Sequence, residues 1–308
     1  MNILLHTPLP DADQWQRTLA QALPDATLHR WPCSGVAIDY AIVWKPPREL
    51  LGDLSRARAV FNLGAGVDAT VASAGASWPA GVPLIRIEDA GMGEQMIEYV
   101  VYAVLRWFRE FAHYEQSQRN ACWSPRVRLE KREFGVGILG MGVLGSSVAD
   151  AVAKLGFPVA GLSRRSKQLQ GMRSFAIDEL AAFLASSRVL VCMLPLTPAT
   201  RGLLDRKAFA MMPRGAYLIN VARGAIVVEH DLIDAIDEGS IAGAMLDVFE
   251  HEPLAADHAF WHHPRITVTP HIAAVTLLGA SVGQIADKIR RIEAGFPVSG
   301  TIDPLHAY

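Results

Sequence analysis

At 308 residues, 51% of them hydrophobic, the chain is long enough for about two domains with sizeable cores. A net charge of −2 gives no basic field for nucleic acid, and short clusters such as Arg126-Val127-Arg128 and Arg164-Arg165 do not supply one. Three scattered cysteines, Cys33, Cys122 and Cys192, suggest neither a disulfide framework nor a metal site; no apolar run approaches the roughly 18 residues of a membrane span, and the first residues lack a signal peptide's basic region, so a cytoplasmic protein is expected.

In chain order, Asn2 to His6 reads as a buried strand and Asp11 to Leu23 as a helix. Short strands are predicted at Ala26–Arg30, Tyr40–Trp44, Val60–Leu63 and Pro83–Ile87, with helices at Arg48–Arg56 and Val67–Ala74. Strand alternating with helix implies a parallel sheet covered on both faces. Gly93 to Gln118 reads as one long helix, and the polar, basic stretch Asn120–Arg132 as an exposed arm. The alternation then resumes. Strands are predicted at Val136–Leu139, Pro158–Leu162, Arg188–Leu194, Ala216–Val221, Ala242–Asp247 and Ile266–Thr269. Helices are predicted at Asp178–Ala185, Asp205–Met212, Glu229–Glu238 and Ala273–Ala294. The last helix is expected to return to the first module. That gives a discontinuous domain, 1–98 with 274–308, and an inserted one, 99–273.

The centre of the second module is Val136 to Gly145, V-G-I-L-G-M-G-V-L-G. An apolar strand leads into Gly140, Gly142 and Gly145, spaced G-x-G-x-x-G, and Val148, Val152 and Leu155 follow at helical spacing. In a strand–turn–helix context the first glycine permits the tight turn. The second lets a pyrophosphate approach the backbone, and the third lets helix and strand pack closely. The pyrophosphate would sit at Val143, Leu144 and Gly145, on unpaired N–H groups at the helix start.

In an open parallel sheet, ligands bind beyond the carboxyl ends of the strands. The residues there are Gly140 onward, Ser163, Pro195, Val221-Ala222-Arg223-Gly224, Asp247 and Pro270-His271. Reduction of a 2-keto acid needs a cation for the carboxylate, and arginine's planar fork matches it bidentately. It needs a proton donor for the carbonyl oxygen, a role suited to histidine. The donor needs a carboxylate to orient it. Glu250 and Glu252 precede the His271 strand, and composition does not choose between them. The small-residue turn at 63–68 reads, on its own residues, as a plain strand-to-helix turn.

Taken together, L-G-A-G-V-D at 63–68, the glycine turn, L-P-L-T-P-A-T-R-G at 194–202, G-A-Y-L-I-N-V-A-R-G at 215–224, G-A-M-L-D-V-F-E-H-E-P-L at 243–254 and T-P-H-I-A at 269–273 resemble the D-2-hydroxyacid dehydrogenases, in their glyoxylate/hydroxypyruvate reductase branch. The resemblance covers nearly the whole chain. It implies two doubly wound α/β domains with parallel sheets, a Rossmann-type coenzyme domain inserted in a flavodoxin-like substrate domain. It implies Arg223 for the substrate carboxylate and carbonyl, His271 as acid/base, and Glu252 rather than Glu250 as its partner. Asp247 matches an aspartate that holds the nicotinamide carboxamide. Ala65 and Gly66 match a loop whose backbone meets the substrate carboxylate, and Trp44 an aromatic at the pocket mouth. Pro195, Val221 and Ala222 complete the cofactor edge. Trp123 resembles a residue that reaches across a dimer interface, so a homodimer is expected.

The cofactor expected is NADPH. An NAD enzyme carries Asp or Glu at the end of the second strand for the ribose 2′-OH. This chain has Ser163-Arg164-Arg165-Ser166-Lys167, donors and cations suited to a 2′-phosphate. Related alternatives are other 2-hydroxyacid substrates, 3-phosphoglycerate among them, and formate oxidation, where the resembling enzymes carry Gln at the position of Glu252. An alternative of another class is a dinucleotide-sensing interaction protein.

Overall fold

In the computed structural model, which describes residues 1–52, 54–127 and 129–304, the chain forms two compact α/β units. One comprises residues 1–92 and 276–308, the other residues 93–275. The first is therefore discontinuous and the second inserted in it. Arg128, named above in a basic cluster, lies outside the described residues.

The first unit holds strands β1 (Asn2–His6), β2 (Thr27–Arg30), β3 (Tyr40–Val43), β4 (Ala59–Asn62) and β5 (Leu84–Arg86). They pair in parallel in the order β2-β1-β3-β4-β5, the flavodoxin-like sequence of neighbours. Tyr40–Val43 and Ala59–Asn62 are buried at every position. Strands covered on both faces lose the apolar–polar alternation. The helix Leu278–Glu293 returns here. Tyr40 Oη donates to Glu293 Oε1 at 2.6 Å, and Arg58 pairs with the same carboxylate. A short strand near the chain's end, Thr301–Ile302, pairs antiparallel with β5, so this sheet is parallel except at one edge.

The second unit holds β6 (Val136–Leu139), β7 (Val159–Leu162), β8 (Arg173–Phe175), β9 (Val189–Cys192), β10 (Ala216–Asn220), β11 (Ile241–Leu246) and β12 (Ile266–Val268). The sheet order is β8-β7-β6-β9-β10-β11-β12, all parallel. Counted within the unit this is 3-2-1-4-5-6-7, the Rossmann order with one added strand. Side chains leave each strand alternately. Val136, Ile138, Val189, Val191 and Ile219 pack on one face with Val100, Val104, Val148 and Val152 of two helices. Leu139, Leu190, Cys192 and Leu218 pack on the other with Phe183, Phe209, Leu232 and Ile236. Each such buried side chain contributes about 1.5–3 kcal/mol.

Most predicted elements keep their place with ends moved by a residue or two. The helix predicted over Gly93–Gln118 is a correction: it is two helices, Met92–Phe108 and Phe111–Arg119. Glu110 between them has φ +53, the left-handed region, and the apolar face ends at buried Phe108. Arg106 pairs with Glu115 across the break, fixing the bend. Strands β8 and Thr301–Ile302 were not expected, being edges of two or three residues. No helix among the described residues is long and apolar enough to cross a membrane.

Candidate active site

The glycine turn separates into three jobs. Gly140 has φ +115, and a Cβ there would lie 2.7 Å from the Met193 carbonyl oxygen. At Gly145 a Cβ would lie 1.9 Å from the Gly140 carbonyl oxygen, so only hydrogen lets the helix Val143–Lys154 come this close to β6. Gly142 meets nothing within 4 Å: it faces open space. It also begins the helix with no side-chain cap, leaving the first-turn N–H groups of Val143, Leu144 and Gly145 to an outside acceptor. These residues fit a dinucleotide's pyrophosphate.

Ser163, Arg164 and Arg165 follow β7 directly, and both arginines are exposed. The Ser163 hydroxyl donates to the Arg165 carbonyl at 2.6 Å, curling the segment. Lys167 Nζ donates to the Met141 carbonyl at 2.5 Å, tying the same segment to the glycine turn. The segment that carries these cations is therefore tied to the glycine turn by Lys167. Pro195 follows β9, Val221 and Ala222 follow β10, and Asp247 follows β11, all at the carboxyl edge.

The loop carrying Arg223 is braced from below. Asn220, 1% exposed, accepts from Ala222 N and donates to the Arg223 carbonyl, both at 3.2 Å. Arg223 Nη1 donates to the Ala222 carbonyl at 2.6 Å. Gly224 then passes hard against the next loop, where a Cβ would lie 1.8 Å from the Phe249 carbonyl carbon. That contact brings the Arg223 loop onto the segment bearing Glu252. Gly224→Ala is expected to cost about 3 kcal/mol or more by overpacking, lowering the melting temperature by roughly 6–12 °C. A thermal melt within 2 °C of the parent, allowing about 1 kcal/mol at most, would refute the close approach.

Glu252 Oε2 lies 2.7 Å from His271 Nδ1, and Glu252 Oε1 accepts from Phe249 N at 3.0 Å. A carboxylate only accepts, so Nδ1 carries the proton. Nε2 has no hydrogen-bond partner among the described residues. Burial pushes the Glu252 carboxyl up, but the bonds from His271 and Phe249 and the charges of His271 and Arg223 outweigh it and hold the group below its usual range. Glu250 instead pairs with Arg201 at 3.3 Å, away from the imidazole. The pair His271–Glu252 and the cation Arg223 thus act on one locality. His271 itself has φ +56. For a residue with a Cβ that conformation costs about 1–2 kcal/mol, and such strain concentrates at functional sites. Asp247 is 1% exposed, and its carboxylate accepts from Thr269 Oγ1, Ile272 N and Ala273 N.

In the first unit, β4 ends in the turn that holds Ala65 and Gly66. Asn62, fully buried, donates to the carbonyls of Gly64 and Gly66, each at 2.9 Å, and accepts from Thr70 Oγ1 at 2.6 Å. With those carbonyls turned inward, Ala65 and Gly66 remain partly exposed. The Trp44 ring packs on Gly64, where a Cβ would lie 2.7 Å from Cζ3. Asn62 and Thr70 escaped the sequence reading, although a polar residue inside an otherwise apolar strand was a visible signal. Trp123 is 97% exposed on its arm. Cys192 is fully buried and burial pushes its thiol up to about 12, which removes it as a nucleophile. Among the described residues no group of His, Cys, Asp or Glu is arranged to hold a metal ion.

Residues 101–273 match the family model described as D-isomer specific 2-hydroxyacid dehydrogenase, NAD binding domain. A protein of Serratia proteamaculans named glyoxylate/hydroxypyruvate reductase A is 47% identical, over all of both chains. A D-isomer specific 2-hydroxyacid dehydrogenase of Xanthobacter autotrophicus, solved with NADPH and MES, is 39% identical and superposes with a TM-score of 0.93, covering 100% of this chain and 99% of that one. An NADPH-dependent glyoxylate/hydroxypyruvate reductase of Sinorhizobium meliloti, solved with NADP and sulfate, is 33% identical with the same TM-score of 0.93 and the same coverage, 100% and 99%.

Proposed function

The chain belongs to the D-isomer specific 2-hydroxyacid dehydrogenase family, and we propose that within it the chain is an NADPH-dependent reductase of glyoxylate and hydroxypyruvate. The observation that carries the chemistry is the 2.7 Å contact of His271 with Glu252, with Arg223 acting on the same carboxyl. NADPH, when bound, supplies the hydride that reduces C2 of the keto acid. His271 gives a proton from Nε2 to the carbonyl oxygen, while Glu252 holds Nδ1–H and stabilises the imidazolium before transfer. Arg223 holds the substrate carboxylate and stabilises the charge that grows on the oxygen. Ala65 and Gly66 are assigned to the substrate carboxylate through their backbone, and Trp44 to an apolar contact with the substrate. The first turn of Val143–Lys154 receives the pyrophosphate, with Pro195, Val221, Ala222 and Asp247 along the nicotinamide side.

The 2′-phosphate is assigned to Ser163, Arg164 and Arg165. One charge-assisted hydrogen bond is worth about 1.5–3 kcal/mol, so kcat/KM is expected to be about 10–100-fold higher with NADPH than with NADH. Equal values, or a preference for NADH, would overturn that assignment. The substrate assignment is tested by steady-state rates over glyoxylate, hydroxypyruvate, pyruvate and longer 2-keto acids. Turnover of the first two below about 1 s⁻¹ would favour a sensing role over catalysis. The proposed form is a cytoplasmic homodimer. Its support is an arm on which Trp123 and Val127 are 97% and 89% exposed, apolar side chains that a second copy would cover. Sedimentation equilibrium reads the mass directly.

A further inference from the structure

The turn around His271 is held from one residue. The Asp247 carbonyl accepts from His271 N at 2.8 Å. Its carboxylate takes Ile272 N on Oδ1 at 2.9 Å and Ala273 N on Oδ2 at 2.8 Å. Thr269 Oγ1 donates to Oδ1 at 2.6 Å. Asp247 thus grips the chain before, at and after a histidine whose φ is +56, a conformation that persists only where its surroundings over-determine it. Oδ1 has both lone pairs used, and Oδ2 keeps one.

The hydrogen bonds continue outward from the carboxylate. Thr269 has a single hydroxyl proton and gives it to a group that has none to return. The Tyr99 hydroxyl, 2.5 Å from Thr269 Oγ1, is therefore the donor of that second bond. The order is Tyr99 to Thr269 to Asp247. Burial pushes the Tyr99 phenol above its ordinary range, so the donor keeps its proton. Tyr99 lies on the helix Met92–Phe108, whose Val100, Ala103, Val104 and Phe108 are in the core of the same unit. The outer end of the relay is thus fixed to a rigid element.

We propose that Tyr99 and Thr269 are positioning residues for the proton donor: their relay orients the Asp247 carboxylate and, through it, the left-handed turn that aims His271 Nε2. This rests on His271 being the acid of the proposed reaction. It also gives Asp247 a duty besides any contact with cofactor. A relay of this kind acts on the step in which the proton moves, so its loss belongs in kcat. A residue that merely shaped the cofactor site would show its loss in KM for NADPH.

Three variants separate the possibilities. Thr269→Val keeps the size and branching but deletes both bonds, Tyr99→Phe deletes only the outer one, and Thr269→Ser keeps the hydroxyl. With glyoxylate, kcat is expected to fall about 10–100-fold in Thr269→Val, the cost of a donor misplaced by about an ångström. Tyr99→Phe should fall about 2–10-fold, as for one neutral hydrogen bond. KM for NADPH should stay within about twofold, and Thr269→Ser should recover most of kcat. The proposal is overturned if folded Thr269→Val keeps kcat within about twofold, if Ser does not restore the loss, or if the loss lies in KM for NADPH. Should Thr269→Val not fold, Tyr99→Phe decides alone, with an unchanged kcat overturning the proposal. His271→Ala, assayed beside them, distinguishes the two failures. An inactive His271→Ala with an active Thr269→Val sinks only the relay, whereas an active His271→Ala sinks the functional reading beneath it.

Discussion

His271→Ala lowers kcat for glyoxylate reduction by about 10²–10⁴-fold, the usual worth of a positioned acid. The expectation follows from where the imidazole's two nitrogens stand. Nδ1 is committed to Glu252 at 2.7 Å, so Nε2 is the nitrogen that meets a reacting oxygen. Without it the developing alkoxide must take its proton from water. Glu252→Gln keeps the shape but replaces a charge-assisted bond, worth about 1.5–3 kcal/mol, and should lower kcat about 10–100-fold. The two losses are not independent. Once the imidazole is gone, Glu252 has nothing to orient, so the double variant should be no slower than His271→Ala alone. Losses that multiply would show Glu252 acting on something other than His271. The sign of the pH effect follows from the carboxyl. Its folded-state value is depressed, so its contribution is present above the unfolded value and lost only as pH falls through the lower folded one. Over about pH 5 to 8, where imidazoles titrate, Glu252 stays ionised, and a bend in kcat/KM in that window belongs to another group.

Much of this site was legible because its signals are local. The run Val136–Leu139 followed by three spaced glycines is read within ten residues, and each glycine's job is a matter of its immediate neighbours. The carboxyl-edge rule then gathered Ser163, Arg223, Asp247 and His271 from strands far apart in sequence, since a parallel sheet puts every such end on one side. Local pattern failed where a distant partner decides. No glycine or proline marks the break at Glu110; its left-handed backbone and the pairing of Arg106 with Glu115, nine residues apart, show only in the folded chain. Tyr99 and Thr269 are 170 residues apart and meet only after the whole unit has folded. Glu250 and Glu252 are both plausible by spacing, and what divides them is that Arg201 draws one away while Phe249 N and His271 fix the other. The edge strand β8 carries only one buried side chain, Phe175, too little apolar signal to read as a strand.

Arg223→Ala is expected to cost about 2–5 kcal/mol in transition-state binding, a fall of roughly 30–5,000-fold in kcat/KM. The loss should divide between the two constants. An arginine that holds the substrate carboxylate binds ground state and transition state alike, which raises KM when removed. An arginine that also faces the growing charge on the oxygen stabilises the transition state alone, which lowers kcat. Arg223→Lys restores the charge but not the planar fork, so it should recover KM only in part. The backbone argues that the side chain is held for such a purpose. Asn220 pins the Arg223 carbonyl, Nη1 is fixed on the Ala222 carbonyl, and Gly224 presses the loop against Phe249. An arginine serving only as a surface cation would leave kcat/KM within about twofold on removal. The sharper comparison pairs the substitution with a truncated substrate. Glycolaldehyde has the carbonyl but no carboxylate, so the parent enzyme should lose with it the binding that Arg223 supplies. Arg223→Ala should then discriminate far less between glyoxylate and glycolaldehyde than the parent does. If the ratio of their kcat/KM values is the same in both proteins, Arg223 does not hold the carboxylate, and the cation for that group must be sought elsewhere.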